Sequence, residues 1–153
     1  MKVTDYTGIN AEDAGKVVKE LQLLLADFQV FYTNLRGFHW NVKGQFFFAL
    51  HAKFEEMYDD AAEKVDEIAE RILMLGGTPE HNFSKYLKVA KVEETTAISN
   101  GTAMITNILD TLKYIIALER RISENADEAT AALMSDYIRE QEKTVWMLAS
   151  TVA

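Results

Sequence analysis

Leu50-His-Ala-Lys-Phe-Glu-Glu-Met-Tyr-Asp-Asp-Ala-Ala-Glu-Lys-Val-Asp-Glu-Ile-Ala-Glu-Arg-Ile-Leu-Met-Leu75 carries apolar residues at 50, 54, 57, 61, 65, 68, 72 and 75. The steps run 4-3-4-4-3-4-3, the repeat of an amphipathic α-helix, with no Gly or Pro to interrupt it. The spacing predicts a helix from about Gln45 to Leu75, closed by Gly76-Gly77-Thr78-Pro79. At ~1.5 Å per residue that is a rod about 45 Å long.

Reading outward, the same repeat appears on both sides. Val17, Leu21, Leu24, Phe28, Phe31 and Leu35 predict a helix over about Asn10–Asn41, with Asn10 as its cap and Glu12 and Asp13 in the first turn. Ile105, Ile108, Leu109, Leu112, Ile115, Ile116 and Ile122 predict another over Thr96–Glu124. Asn125 with Glu128 three residues later reads as a capping box, opening a last helix through Met134, Tyr137, Ile138, Gln141, Val145 and Leu148. The twenty or so residues up to Thr95 have a broken pattern, hold one short helix around Phe83–Lys91, and are too many for a tight hairpin. Short first and last connections with a long middle one describe an all-α, ferritin-like four-helix bundle with a crossover, one domain over residues 1–153.

Composition excludes the alternatives. Seven Gly and one Pro among 153 residues make about 5 %, against roughly 12 % in ordinary chains, too few breakers for the frequent turns of a β-sandwich or barrel. With 48 % apolar and 10 % aromatic residues the chain can offset its ordering entropy and is not disordered. It has no Cys, so disulfides, thiolate zinc sites and iron–sulfur clusters are out, and any metal must be held by N and O donors. A net charge of −8 favours cations over polyanions as ligands. The longest local apolar run, Phe46–Leu50, neither spans a bilayer nor makes a signal peptide, so the expected location is cytoplasmic, with no membrane partner.

About 100° round the second helix from its core stripe lies another row: His51, Glu55, Tyr58, Ala62, Asp66, Glu70. His51/Glu55 and Asp66/Glu70 are i,i+4 pairs, each able to act as a two-ligand unit, although a solvated helix face gives the same pattern. His39 adds weight. On one straight helix it would sit ~18 Å from His51, but a turn near Lys43-Gly44 places the two imidazoles at nearly the same level. Asp66 remains ~22 Å along the helix from His51, so one subunit cannot gather all five groups. Two copies packed antiparallel about a two-fold axis near Tyr58–Ala62 can, in an isologous contact. Two imidazoles with three carboxylates suit a mid-series divalent ion; ligand type alone allows Fe, Mn, Zn or Co.

His39-Trp40-Asn41-Val42-Lys43-Gly44, Phe47, Leu50-His51, Glu55, Asp66-Glu67-Ile68-Ala69-Glu70-Arg71, Leu75-Gly76-Gly77 and Glu142-Lys143-Thr144-Val145-Trp146-Met147-Leu148 together resemble the Dps miniferritins. The resemblance implies a dodecameric shell that oxidises Fe²⁺, preferably with hydrogen peroxide, at two-fold interfaces and stores ferric mineral, protecting against oxidative stress. It implies His39, His51 and Glu55 as ligands from one subunit and Asp66 and Glu70 from its partner, for up to two iron ions per site. Trp40 then resembles a sink for oxidising equivalents, and Asp127 and Glu128 resemble residues lining an acidic pore. Some members bind DNA through a basic tail; here only Lys2 precedes Lys16, against Asp5, Glu12 and Asp13, so direct DNA binding is not expected. The rival readings are a DNA-coating shell with a secondary metal site, and a purely structural helical assembly or a cage whose site takes Zn²⁺ and is redox-silent.

Overall fold

Asn10 caps the first long helix as expected: its Oδ1 accepts from the N–H groups of Glu12 and Asp13, both at 3.0 Å. The computed structural model describes residues 1–96 and 99–153, and among these the elements are α1 (Val3–Thr7), α2 (Ala11–Asn41), α3 (Phe47–Met74), α4 (Phe83–Val89), α5 (Gly101–Asn125) and α6 (Glu128–Val152). The only β pairing among the described residues is an isolated bridge between Lys43 and Asn100. α2 packs along α3 and α5 along α6, and α2 also touches α5 and α4. The four long helices form the bundle, and the crossover from α3 to α5 carries α4.

The apolar stripes meet in one core. On α3 every stripe residue is buried except Val65, which packs partly buried against the rest. All six predicted positions of α2 are buried. On α6 the stripe includes one polar member, Gln141, buried like its neighbours Tyr137 and Leu148. α3 ends as the Gly76-Gly77 pair demands. Gly76 takes φ +85°, the Gly76 N–H bonds to Leu73 C=O and the Gly77 N–H to Ile72 C=O, so two terminal carbonyls are satisfied.

Four boundaries differ from the sequence reading. The five residues of α1 are too few for a periodic signal, so it goes unpredicted. α4 stops two residues before Lys91, because the N–H groups of Lys91 and Val92 turn away to Asp27 Oδ1 at 2.7 and 2.9 Å. α5 starts at Gly101, where Asn100 Oδ1 accepts from the Ala103 N–H at 3.0 Å; positions 97 and 98 of the helix expected from Thr96 lie outside the described residues. The capping box on Asn125 and Glu128 does not form. Asn125 is still helical, and Asp127 caps α6, accepting from the Thr130 N–H at 3.0 Å and the Thr130 hydroxyl at 2.7 Å. Asp127 wins because it also meets the Arg71 guanidinium at 2.7 Å.

The crossover is held by three polar groups on α2: Gln22, which donates to Thr78 C=O at 2.7 Å and accepts from the Glu80 N–H at 3.1 Å, and Asp27 and Asn34. Asp27, fully buried, receives Lys91, Val92 and, on its other oxygen, the Tyr114 hydroxyl at 2.6 Å. Asn34 donates to Glu93 C=O at 2.9 Å and accepts from the Thr95 N–H at 3.0 Å. Loop backbone that runs over a core without its own ladder thereby finds partners. Removing the Asp27 carboxylate strands three donors at once, a loss of on the order of 3 kcal/mol. Asp27→Ala therefore unfolds at markedly lower temperature, and hydrogen exchange at Lys91 and Val92 accelerates; unchanged exchange at those two amides would show that Asp27 is not the anchor.

Candidate metal centre

The junction between α2 and α3 is short and tightly tied. Val42 N–H bonds back to Phe38 C=O, Lys43 N–H crosses to Ser99 C=O, and Gly44 turns the chain at φ +110°, a region costly for any residue with a Cβ. Phe47 N–H then bonds Gly44 C=O and α3 begins.

This turn brings His39 and His51 face to face. Their rings stack at 3.8 Å between centroids and 12° between planes. His39 Nδ1 lies 2.7 Å from the carbonyl of His51, and His51 Nδ1 lies 2.8 Å from the carbonyl of His39. A carbonyl only accepts, so each Nδ1 carries a proton that it donates. In the tautomer protonated on Nδ1 the ring lone pair lies on Nε2, and neither Nε2 has a hydrogen-bond partner among the described residues. Such a bond from the far ring nitrogen to a backbone carbonyl is what fixes a metal-binding histidine in tautomer and orientation. Phe47 stacks on His51 at 5.0 Å and the edge of Tyr58 meets His39 at 5.3 Å, which fills the space around the pair with aromatic carbon.

The carboxylates stand apart from this pair in varying degree. Glu55 is exposed one turn beyond His51, with Oε1 at 3.5 Å from the Tyr58 hydroxyl. Asp66 and Glu70 are exposed four and five turns along α3 and touch neither histidine. Among the described residues no three His, Asp or Glu side chains of one chain come close enough to hold an ion. The face is nonetheless strongly negative, and density of like charge has an effect: partial burial, then the neighbouring Glu63, hold the Glu67 carboxyl above the ordinary range. The donor set fits a divalent metal, with two imidazoles poised through Nε2 and hard oxygen donors on the same helix.

Arg36 is a residue of this region that the sequence reading missed. Its guanidinium lies 4.9 Å from the Trp40 ring centroid and 5.6 Å from those of Tyr32 and Tyr58, and its Nη1 donates to the Tyr32 hydroxyl at 3.2 Å. Its Nε is buried without a partner, and no carboxylate pairs with it among the described residues. The i,i+4 spacing of Tyr32, Arg36 and Trp40 was the available signal. Trp40 itself is 63 % exposed, with one face on Arg36.

The expected pore residues sit at the start of α6. Burial acts to raise the Asp127 carboxyl, but the bonds from Thr130 and the charge of Arg71 outweigh it and hold Asp127 below the ordinary range. Asp127 is thus committed to a cap and an ion pair; Glu128 beside it is exposed. Trp146 is 65 % exposed on α6. No helix of the described residues is long and apolar enough to cross a membrane.

Comparison with known proteins agrees with this architecture. The family model for a ferritin-like domain matches residues 18–153. The DNA protection during starvation protein of Porphyromonas gingivalis is 51 % identical over 153 residues, covering 97 % of this chain and 96 % of that protein. General stress protein 20U of Bacillus subtilis is 33 % identical over 138 residues, covering 87 % of this chain and 94 % of its own length. The crystal structure of the Dps protein from Vibrio cholerae O1, described as a ferritin-like diiron-carboxylate protein, superposes with a TM-score of 0.93 at 48 % identity, covering 95 % of this chain and 94 % of that one. The bundle with its crossover, the stacked histidine pair and these matches lead to one assignment: the chain belongs to the ferritin-like family, as a Dps-type miniferritin.

Proposed function

We propose that the chain is the subunit of an iron-storing cage that oxidises Fe²⁺ at sites shared between two copies. The observation that carries the reading is the reciprocal His39–His51 lock, which stacks the two rings and leaves the Nε2 of each without a hydrogen-bond partner among the described residues. The family supports iron binding and stress protection in general; the ligand set, the oxidant and the twelve-subunit shell are our inference. His39, His51 and Glu55 of one subunit would hold Fe²⁺ together with the Asp66 and Glu70 side chains of a second copy, whose α3 runs antiparallel across a two-fold axis. The ~22 Å between His51 and Asp66 on one rigid helix makes such sharing the geometric route to five ligands.

Iron is the substrate. Two Fe²⁺ ions each give one electron to hydrogen peroxide, and with two protons the products are two Fe³⁺ and two waters, with no odd electron left over. The carboxylates gain more from Fe³⁺ than from Fe²⁺, because a harder, higher charge binds anionic oxygen more strongly, and this favours oxidation. The locked tautomers spare the site the cost of reorienting its imidazoles. Arg36 places a fixed positive charge nearby, which opposes cation binding and makes all three carboxylates necessary. Trp40, exposed beside the pair, is positioned to take up a stray oxidising equivalent. Zn²⁺, Mn²⁺ or Co²⁺ would compete for the same donors.

Sharing has a quantitative signature. His39→Ala and Asp66→Ala each lose rapid iron oxidation in stopped-flow absorbance after addition of Fe²⁺ and peroxide. When the two variants are co-expressed in equal amounts, half of the two-fold pairs are mixed, and each mixed pair regains one intact site of its two. About a quarter of wild-type activity returns. If all ligands served one subunit, mixing would restore nothing.

The assembly itself is checked separately. Light scattering on the purified protein gives about twelve times the 17.4 kDa of the chain. A mass near that of two chains would retain the shared site but overturn the shell.

A further inference from the structure

Three polar atoms buried in the bundle core have no partner among the described residues: Glu119 Oε2, Gln141 Oε1 and the Tyr137 hydroxyl. Glu119 is 0 % exposed, Tyr137 3 % and Gln141 5 %. Native interiors leave few such atoms, and each calls for an account. Here two of the three belong to one contact. The Gln141 amide nitrogen donates to Glu119 Oε1 and to the Tyr137 carbonyl, the latter at 2.9 Å. A carbonyl cannot donate, so the amide is fixed with its nitrogen on that side and Oε1 on the other. The two unpartnered oxygens, Glu119 Oε2 and Gln141 Oε1, are thus each bonded to the same carbon as an atom of the existing N–H···O bond. Both accept, and no donor lies between them.

A single hydrogen completes the pair. We propose that Glu119 is held as a neutral carboxylic acid at physiological pH and that its Oε2–H donates to Gln141 Oε1, closing a cyclic acid–amide pair that latches α5 to α6. The step is a plain protonation: an O–H bond of a solvent hydronium ion breaks as the Oε2–H bond forms, water is released, and one negative charge disappears from the core. This reading stands apart from the iron site and does not depend on it.

The surroundings favour the neutral form. Burial pushes the Glu119 carboxyl up to about 8, against the bond from Gln141 and the positive charges of Lys64 and Arg120, with Asp60 adding to the rise. The ionisable groups around it are Lys64, Asp60 and Glu67 on α3, Arg120 on α5 itself, and Tyr137 and Glu140 on α6. Lys64 does not replace the proton, because its ammonium is already paired with Asp60 at 2.7 Å and Glu140 at 2.9 Å. From α2, Phe28 lies edge-on to Tyr137. A cleft of about 290 Å³ between α3 and α6, lined by Asp60, Glu140 and Gln141 among others, gives the proton a way to water.

The sign of the pH dependence follows. The acid binds its proton more tightly folded than unfolded, so its contribution is full below the ordinary carboxyl range and is lost as pH rises through about 8. The decisive measurement is infrared difference spectroscopy of the assembled protein between about pH 6 and pH 9. The wild type shows a protonated-acid C=O band that bleaches near pH 8, and Glu119→Gln, which keeps an uncharged amide pair of the same shape, lacks the band. In parallel, the wild-type unfolding temperature falls over that range by more than that of Glu119→Gln. Should Glu119→Gln fail to assemble, Gln141→Leu shifts the band to the higher frequency of an unbonded acid. A wild type without the band overturns the proposal, as does a wild type and Glu119→Gln with the same pH profile. So does a rise in wild-type unfolding temperature on adding Mg²⁺ or K⁺ at about pH 6 that Glu119→Gln abolishes, since a cation would then satisfy these oxygens in place of the proton.

Discussion

An α-helix cannot fold back on itself, and that constraint on α3 governs the molecule. His51 and Asp66 stand fifteen residues apart on one unbroken rod, so whatever they do together they do across two molecules. The chain can bend only where the helix ends, and the turn at Gly44 is the one that brings His39 to His51. The rest of α3 is then free to present acids outward. Its exposed face carries Glu55, Asp59, Glu63, Asp66 and Glu70, a row whose mutual repulsion would destabilise the lone helix were its other side not packed into the core. Within a single chain Arg36 has no carboxylate partner among the described residues, and Phe46, Phe48, Trp40 and Trp146 are largely uncovered.

How far the sequence discloses this depends on the range of the interaction concerned. The long helices are legible because their periodicity repeats five or more times, and the Asn10 cap and the Gly76-Gly77 stop are legible because they act within a turn of the helix they end. The approach of His39 to His51 is legible too, since a counted turn fixes it. Their reciprocal bonding to each other's carbonyls is not, because ring rotation depends on packing from Phe47 and Tyr58. The choice of Asp127 over Asn125 as cap was decided by Arg71, fifty-six residues away, which no local pattern contains. The anchoring of the crossover by Asp27 is of the same kind: a charged residue on an apolar stripe reads as a defect until its three distant donors are known. α1 lacked the length to signal at all.

The same side chain serves opposite ends according to how much water it keeps. Glu55, Asp66 and Glu70 stay exposed, and a carboxylate in water is ready to trade its solvent for a metal. Asp27 is fully buried, yet three donors meet its two oxygens, so its charge is spent inward on loop backbone. Glu119 is buried as deeply with a single donor, and charge without partners is what a low-dielectric interior resists most. Burial pushes both carboxyls up, Asp27 against three donors and Glu119 against one. Where that count falls short, the missing hydrogen must come from outside the chain, and a proton is the smallest species able to supply it. The bundle thus sorts its acids by donor supply: those left mostly to water face the candidate iron site, those that meet enough hold the fold, and the one that meets too few answers to pH.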